Sequence, residues 1–271
     1  ESEPQERSTE NNLDIFGHDL FRNAPTTFAP ASDIPVTPDY IIGPGDYMKI
    51  ILFGNENEEY NLQVNRQGEI YFPSIGPIQL SGMSFAETKD LIQEIIKTQK
   101  IGVSASITLG ELRSIQVYII GEAYQPGLYM ISSLSTLTNA LFASGGVNEM
   151  GSLRNIQVKR SGETVTTFDL YDLLLRGDSS GDIRLQPGDV IFIPLAEKRV
   201  SVNGSVKRPF IFEARDEDTV YDLIRFAGGF LSQADKSSVE LIRDNDRNGK
   251  VILNIDYSQT QLTNRNVQDG D

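Results

Sequence analysis

Residues 117–160 of the sequence recur without a gap as residues 200–243, at a fixed period of 83 residues. Both copies carry the same glycines, prolines and apolar positions, but no pair of catalytic residue types recurs in them. A fixed period of this content means that one supersecondary unit is built twice, so the shared residues serve its architecture. The anchors of the first copy are Val117, Gly121, Pro126, Thr136, Gly145, Gly146 and Arg160, which recur as Val200, Gly204, Pro209, Thr219, Gly228, Gly229 and Arg243.

Length, charge and cysteine content limit what such a chain can do. Its 271 residues exceed the roughly 100–150 of a typical domain, so we expect more than one domain. The net charge of −14 argues against nucleic-acid binding, because phosphate contacts need clustered Lys and Arg. The absence of cysteine excludes disulfides and thiolate metal sites. The longest apolar runs, residues 50–53 and 117–120, are far shorter than the ~20 residues that cross a bilayer.

Residues 1–38 are predicted to form an acidic, proline-containing N-terminal arm. This stretch has too little apolar surface for a core of its own. A disordered tail is one interpretation, and docking of its apolar cluster on a neighbouring surface is the other. The cluster consists of Leu13, Ile15, Phe16, Leu20 and Phe21.

A first small domain is predicted over residues 39–113, opening with a tight turn at Gly43-Pro44-Gly45-Asp46. Proline presets φ in such a turn, and glycine accepts positive φ. A strand from Met48 to Phe53 follows. The turn at residues 65–68 then predicts a hairpin, with Leu62 and Val64 on one arm and Ile70 and Phe72 on the other.

The same domain is predicted to continue with one helix and a closing strand. Ser84 and Glu87 have the spacing of a capping box, which marks a helix start. Apolar side chains on one face of that helix predict packing against a sheet. The strand from Val103 to Leu109 then completes the domain.

Each repeat is predicted to run strand, turn, strand, helix, turn, strand, hairpin, strand. In the first copy a short helix extends from Thr136 to Ala143, and Gly145-Gly146 ends it as a left-handed cap. Gly228-Gly229 serves the second copy in the same way. We expect Thr164 to Leu170 as the second arm of the first hairpin, and Pro187-Gly188-Asp189 as the turn before the last strand.

The two copies are predicted to be separate domains, residues 114–197 and 198–271. The second copy reaches Gln268-Asp269-Gly270-Asp271, and the strand that would match Val190 to Ile193 is missing from it. We therefore expect an unpaired strand edge in the second copy, near Leu253 or at its other edge.

No catalytic, cofactor-binding or metal-binding residues are assigned from the sequence. His18 is the single histidine, without the cysteine or second histidine that a metal site or relay needs. The carboxylates of Glu58-Glu59 and of Asp216-Glu217-Asp218 lie in polar runs, so solvated loops are preferred to acid–base chemistry on sugars. Residues 244–249 match the opening of a calcium loop, but the position for the bidentate Glu holds Ile255. A hairpin turn at Asn248-Gly249 is the preferred interpretation there.

The order and spacing of these motifs resemble one known family. The turn of residues 40–46, the segment 64–78 and residues 80–84 resemble the N-terminal domain of bacterial outer-membrane polysaccharide export proteins. The two repeats resemble the soluble-ligand-binding β-grasp (SLBB) modules that follow that domain in the family. The resemblance covers residues 40–271 and implies an α+β fold, with a small mixed-sheet export domain followed by two tandem β-grasp modules.

The resemblance also implies a non-catalytic function without a cofactor. Members of the family form a periplasmic ring, associated with the outer membrane, through which capsular polysaccharide or exopolysaccharide leaves the cell. The implied partners are the transported polysaccharide, further copies of the chain and an inner-membrane polysaccharide co-polymerase. Many members have a lipidated N-terminal cysteine and a C-terminal amphipathic helix. Neither pattern occurs in this sequence, so the resemblance implies the periplasmic body and not the pore.

The alternative function is a soluble glycan- or small-ligand-binding β-grasp module of the cell envelope. An aromatic platform would favour it, because sugars stack on aromatic faces. Tryptophan is absent, and Tyr118, Tyr124 and Tyr129 form the only local cluster of tyrosines. Tyr118 and Tyr129 have strand periodicity, which favours packing.

Overall fold

The computed structural model describes residues 13–22, 36–245, 249–258 and 264–271 of the chain. Within these ranges the buried apolar side chains form two cores. One core fills the export domain, and the other is continuous through both repeats and part of the N-terminal arm. None of the helices in the described ranges is long and apolar enough to cross a membrane.

The export domain consists of two small antiparallel sheets packed with one long helix. Strands β2, β1 and β5 lie side by side in that order, and β3 pairs with β4. The capping box at Ser84 forms, and the helix buries Ile92 and Ile96 against the sheet. After the helical turn α1 (Asp19–Arg22) of the arm, the elements are β1 (Tyr47–Gly54), β2 (Glu58–Gln63), β3 (Glu69–Phe72), β4 (Gly76–Gln79), α2 (Phe85–Gln99) and β5 (Val103–Leu109).

The hairpin predicted across residues 65–68 is wrong in its pairing. The turn itself forms, with the Gly68 N–H donating to the Asn65 carbonyl over 3.0 Å. However, β2 pairs with β1, and β3 pairs with β4. The physical reason lies at Val64, whose N–H donates to the Asp46 carbonyl over 2.8 Å. This bond holds the chain against the turn that opens the domain, so the two arms do not form a ladder.

The first β-grasp module is a five-stranded mixed sheet. Its strand order is β7-β6-β10-β8-β9, and the central strand is parallel to β6 and antiparallel to β8. The elements are β6 (Ser114–Gly121), β7 (Gly127–Ser132), α3 (Leu137–Ala143), β8 (Ile156–Arg160), β9 (Glu163–Phe168), α4 (Leu170–Arg176) and β10 (Val190–Ile193).

Helix α4 was not predicted, and the predicted strand from Thr164 to Leu170 extends too far. The strand ends at Phe168, because Asp169 caps a new helix by accepting the Tyr171 N–H over 2.8 Å. Gly177 ends this helix in the left-handed conformation, with φ of 71°. The helix completes the module's core with Leu170 and Tyr171, both buried.

The second module repeats the first in the predicted register. Val200 pairs with Phe212 as Val117 pairs with Tyr129, 83 positions earlier. The bridge between Val206 and residue 230 likewise repeats the one between residues 123 and 147. The elements are β11 (Arg199–Val202), β12 (Phe210–Glu213), α5 (Val220–Phe226), β13 (Val239–Asn245) and β14 (Gly249–Ile255).

The hairpin of the second module repeats that of the first. Leu253 lies on β14, which pairs with β13 as β9 pairs with β8. In the described part of the module, β11–β12 and β13–β14 remain separate two-stranded sheets. In the first module, β10 joins the two corresponding pairs of strands into one sheet, and the unpaired edge expected in the second module stays a prediction.

Gly146 and Gly229 provide a matched pair of helix-end positions for a stability test. Both have positive φ, 89° and 83°, after α3 and α5. A methyl group at Gly146 would overlap the ring of Phe21, whereas one at Gly229 meets no atom within 4 Å. We expect Gly229→Ala to lower the free energy of unfolding by roughly 1 kcal/mol through backbone strain alone. Gly146→Ala should lower the free energy of unfolding clearly more, because it also displaces Phe21. Equal losses of free energy for the two variants in urea titrations would contradict this.

Candidate functional site: the domain junctions and an exposed apolar face

Three aspartates, one in each domain, follow a glycine turn and pair with an arginine. Asp189 accepts hydrogen bonds from Nε and Nη2 of Arg160, both 2.8 Å long. Asp271 is held in the same way by Arg243. The side chains of Asp46, Asp189 and Asp271 are fully buried. The turns that precede them, at Gly45, Gly188 and Gly270, all have positive φ. These pairs fix the start of β1 and β10 in the first two domains.

Asp46 also holds Tyr40, which contacts the first module. Its carboxylate accepts the Gly43 N–H and the Arg113 N–H, both over 3.0 Å, besides the Arg113 guanidinium. The Tyr40 hydroxyl donates to Asp46 over 2.9 Å and lies 2.8 Å from the hydroxyl of Ser133 in the first module. Burial raises the pKa of Tyr40, so its proton remains in place to bridge the two domains. The motif residue Pro44 lines the groove beside this junction.

Glu213 of the second module reaches into the first module. Its carboxylate accepts the Leu153 N–H over 2.7 Å and the Arg154 N–H over 3.2 Å, and it also bonds the Ser152 hydroxyl. The Glu213 N–H in turn donates to the Tyr171 hydroxyl over 2.9 Å. Burial raises the pKa of Glu213, although these hydrogen bonds oppose the shift.

Arg154 is the second polar link between the modules. Its guanidinium pairs with Asp169 of its own module and with Asp218 of the second. It lies over the rings of Tyr171 and Phe226, 5.1 Å from each centroid, and these two rings contact each other edge-on. Burial alone would lower the pKa of Arg154, but the two carboxylates outweigh it and raise the pKa. Together with Glu213, these side chains form what we call the junction clasp.

The N-terminal arm crosses the same junction. The Phe16 N–H donates to the Ile211 carbonyl and the Ile211 N–H to the Asp14 carbonyl, both over 2.9 Å, so the arm adds a short strand to β12. The Phe16 ring packs edge-on against Tyr171 of the first module and close to Phe212 of the second. Of the two interpretations of the arm, docking is therefore correct for residues 13–22. Residues 1–12 and 23–35 lie outside the described residues.

His18 lies on the docked arm and is buried in the interior. Its Nε2 has no hydrogen-bond partner among the described residues. Burial lowers the pKa of His18, and the nearby Arg199 and Arg22 lower it further, while Glu149 opposes them. The docked arm thus favours the neutral imidazole, and protonation below the ordinary pKa of about 6.5 works against docking.

An exposed apolar face lies on the outer side of the first module's sheet. Its side chains are Tyr118 and Ile120 on β6 and Leu128 and Met130 on β7, each 41–61 % exposed. Strand β7 is an edge strand, with no partner on its outer side among the strands of the described ranges. Met130 also lines an open groove of about 590 Å³ between the export domain and the first module. Contiguous exposed apolar surface of this kind marks interaction sites.

The two runs of carboxylates do not both lie in the solvated loops that were predicted for them. Glu58 and Glu59 are exposed, but they lie on strand β2 and not in a loop. Asp216 is exposed and pairs with Lys198, whereas Asp218 is buried in the junction clasp. The prediction of a wholly solvated loop is therefore wrong for Asp218, because Arg154 supplies a buried countercharge that the local sequence does not reveal.

The calcium-loop pattern falls on the β13–β14 hairpin. The two strands form an antiparallel hairpin, as the preferred interpretation predicts, but Asn245 pairs with Gly249, so Gly249 belongs to β14 and not to the predicted turn. Residues 246–248 at its tip lie outside the described residues. In the described ranges, no group of three or more His, Cys, Asp or Glu side chains is arranged to hold a metal ion.

Comparison with known proteins assigns all three domains. The family model for polysaccharide biosynthesis/export proteins matches residues 34–109. Models of the SLBB domain match residues 115–193 and 199–253. These matches agree with the order of domains in the fold.

Two groups of curated relatives cover most of the chain. The polysialic acid transport protein KpsD of Escherichia coli is 32 % identical over 204 residues, which are 74 % of this chain and 36 % of KpsD. The EPS I polysaccharide export outer membrane protein EpsA of Ralstonia nicotianae is 28 % identical over 213 residues, which are 77 % of this chain and 56 % of EpsA. The chain thus spans about a third and just over half of the lengths of these relatives. By its export domain and the two SLBB domains that follow, the chain belongs to the outer-membrane polysaccharide export family.

Proposed function

We propose that this chain is a periplasmic part of a conduit that exports a capsular polysaccharide or exopolysaccharide, with a transport and scaffold role. The observation that carries the proposal is the uninterrupted series of an export domain and two SLBB domains, shared with relatives named for polysaccharide transport and export. We assign residues 1–38 to the arm, 39–113 to the export domain, 114–197 to the first module and 198–271 to the second.

The cargo in this proposal is a polysaccharide that passes the protein without being bound tightly. The net charge of −14 supports this for an anionic polymer, because an acidic wall repels it and lets it move on. An inner-membrane polysaccharide co-polymerase is the proposed partner on the side where the polymer is delivered.

The glycan-binding alternative has less support from the aromatic side chains. Tyr221 and Tyr257 stack on each other with centroids 6.0 Å apart, and the Arg225 guanidinium lies over the Tyr221 ring. Phe230 packs edge-on against Tyr257. The ring faces of this stacked pair are thus engaged within the protein. Of the predicted tyrosine cluster, Tyr129 packs against the core as expected, whereas Tyr118 and Tyr124 are exposed, so the packing predicted for Tyr118 is wrong.

Copies of the chain are proposed to associate in a ring. A cyclic ring uses heterologous contacts, so one surface of each subunit meets a different surface of the next. The exposed apolar face of the first module is one such surface. The export domain offers a second apolar surface at Ile51 and Phe53, both exposed on β1.

Gene replacement in the source organism tests the proposal. Deletion should remove the polysaccharide from the cell surface, while polymer accumulates inside the envelope. A chromosomal Leu128→Asp variant should fold and be produced but fail to restore export, because its charge interrupts the proposed subunit contact. The matched control is Val165→Asp, at an exposed apolar position on β9 of the same sheet. Normal surface polysaccharide in the deletion strain would reject the export role, and full export with Leu128→Asp would reject only this contact.

A further inference from the structure

The N-terminal arm is held on the modules by contacts that are few and local. Residues 13–22 add one short strand to β12 at Ile211, and the rings of Phe16 and Phe21 join the core that the modules share. Segments held in this way open locally, at a lower free energy than the unfolding of the domain beneath them. The junction clasp uses side chains of the two modules alone, so the modules are joined without the arm.

One titratable side chain, His18, is buried where the arm meets the modules. It is 6 % exposed, and its Nε2 atom has no hydrogen-bond partner among the described residues. Hydrogen bonding to the Val147 backbone holds a proton on the ring, so Nε2 is the nitrogen left to take up a second proton. The N–H formed there would be buried without an acceptor, which is unfavourable for any donor and more so for a charged one.

The surroundings of His18 also disfavour a cation there. Burial lowers its pKa most, and Arg199 at the start of β11 and Arg22 on the arm lower it further. Glu149, which follows α3, opposes them, but its carboxylate also lies 3.9 Å from Arg22. Further charged side chains beside the arm have partners of their own, namely Asp14 and Asp19 with Arg22, Arg208 over the Phe16 ring, and Glu213 in the junction clasp.

We propose that residues 13–22 form a pH-sensitive latch across the two modules, closed while His18 is neutral and released when His18 takes up a proton. Release opens the edge of β12 at Ile211 and the surface of Tyr171 and Phe212 that the Phe16 ring covers. This inference does not depend on the export role.

The direction of the pH dependence follows from the two states of the arm. The pKa of His18 is lower in the docked arm than the value of about 6.5 for a free imidazole, so the released arm binds the proton more tightly. Docking is therefore at full strength above pH 6.5 and weakens as the pH falls below it. One proton changes the docking equilibrium by at most about tenfold for each pH unit, until His18 is protonated within the docked arm.

The test follows His18 and the arm together in the chain of residues 1–271. His18 is the single histidine, so its ring signals in NMR spectra belong to one residue, and they should titrate with a midpoint below about 6.5. The Phe16 and Ile211 amides bond the arm to β12. Their protection against hydrogen exchange, corrected for the intrinsic rate at each pH, should fall about fivefold or more between pH 7 and pH 5. The Tyr118 amide, bonded to Asp189 within the first module, should keep its protection.

His18→Leu is the matched variant, because it keeps an apolar side chain at this position, removes the titration and leaves every other charged group in place. The protection of Phe16 and Ile211 should then be the same at pH 5 and pH 7. An equal loss of protection in this variant would assign the pH dependence to the carboxylates and overturn the proposal. Unchanged protection in the unsubstituted chain, or a His18 midpoint at or above 6.5, would also overturn it. These two measurements decide the question even where the arm of the variant does not dock.

Discussion

Replacement of Arg154 by alanine is expected to lower the free energy of unfolding of the joined modules by about 3–5 kcal/mol. The change leaves Asp218 buried without its guanidinium partner and leaves Arg215 as the remaining countercharge of Asp169. It also removes the cation that lies over the rings of Tyr171 and Phe226. Urea titrations followed by tyrosine fluorescence measure the loss.

Arg176→Ala is the matched control, because Arg176 forms a 2.7 Å pair with Asp172 on the surface of α4. Such an exposed pair, four residues apart on a helix, contributes at most about 0.5 kcal/mol. If Arg154→Ala lowered the free energy of unfolding no more than this control, the junction clasp would contribute no more stability than a surface ion pair. A loss restricted to one module would likewise show that the two modules unfold independently.

Replacement of Asp46 by alanine is expected to destabilise the export domain by about 3 kcal/mol. The variant leaves the Tyr40 hydroxyl and the Gly43 N–H without their acceptor, and the Arg113 guanidinium without its countercharge. We place the cost at the lower end of the range for buried pairs, because Arg113 keeps some contact with water. Calorimetry should show the unfolding of the export domain at a lower temperature.

Asp90→Ala on α2 provides the control, because this aspartate is exposed and makes none of these contacts. It should change the free energy of unfolding by less than about 0.5 kcal/mol. An Asp46→Asn variant separates charge from hydrogen bonding, since the amide still offers one acceptor oxygen. Equal stability of Asp46→Ala and the control would show that the Asp46 pair is not needed for the domain.

Much of the fold could be predicted because many elements depend on only a few neighbouring residues, and the repeat shows some of these residues twice. The glycine pairs after α3 and α5, the capping box at Ser84 and the hairpin at Asn245–Gly249 each depend on a few neighbouring residues. Helix α4 also has a local signal, with Asp169 before it and Gly177 after it. The threonines that precede it favour a strand, so the end of the strand at Phe168 could not be recognised from the sequence.

The junctions could not be predicted, since their members are far apart in the sequence. Arg154 and Asp218 are separated by 64 residues and Ser152 and Glu213 by 61. Nothing in the run around Asp218 indicates that an arginine from another domain will cover it. The same applies to Phe16, whose apolar character predicts burial but not the place of burial.

The docked arm sets an order of events during folding. Asp14 and Phe16 bond to Ile211, nearly two hundred positions later in the chain. Contacts of such large sequence separation form only after the intervening loop has been closed, and domains emerge from synthesis beginning with the N-terminal one. The surface that receives Phe16 is complete only once both modules have folded. The arm is therefore synthesised before the modules that receive it but reaches its native place only after both have folded, and until then the apolar ring of Phe16 has no completed surface to pack against.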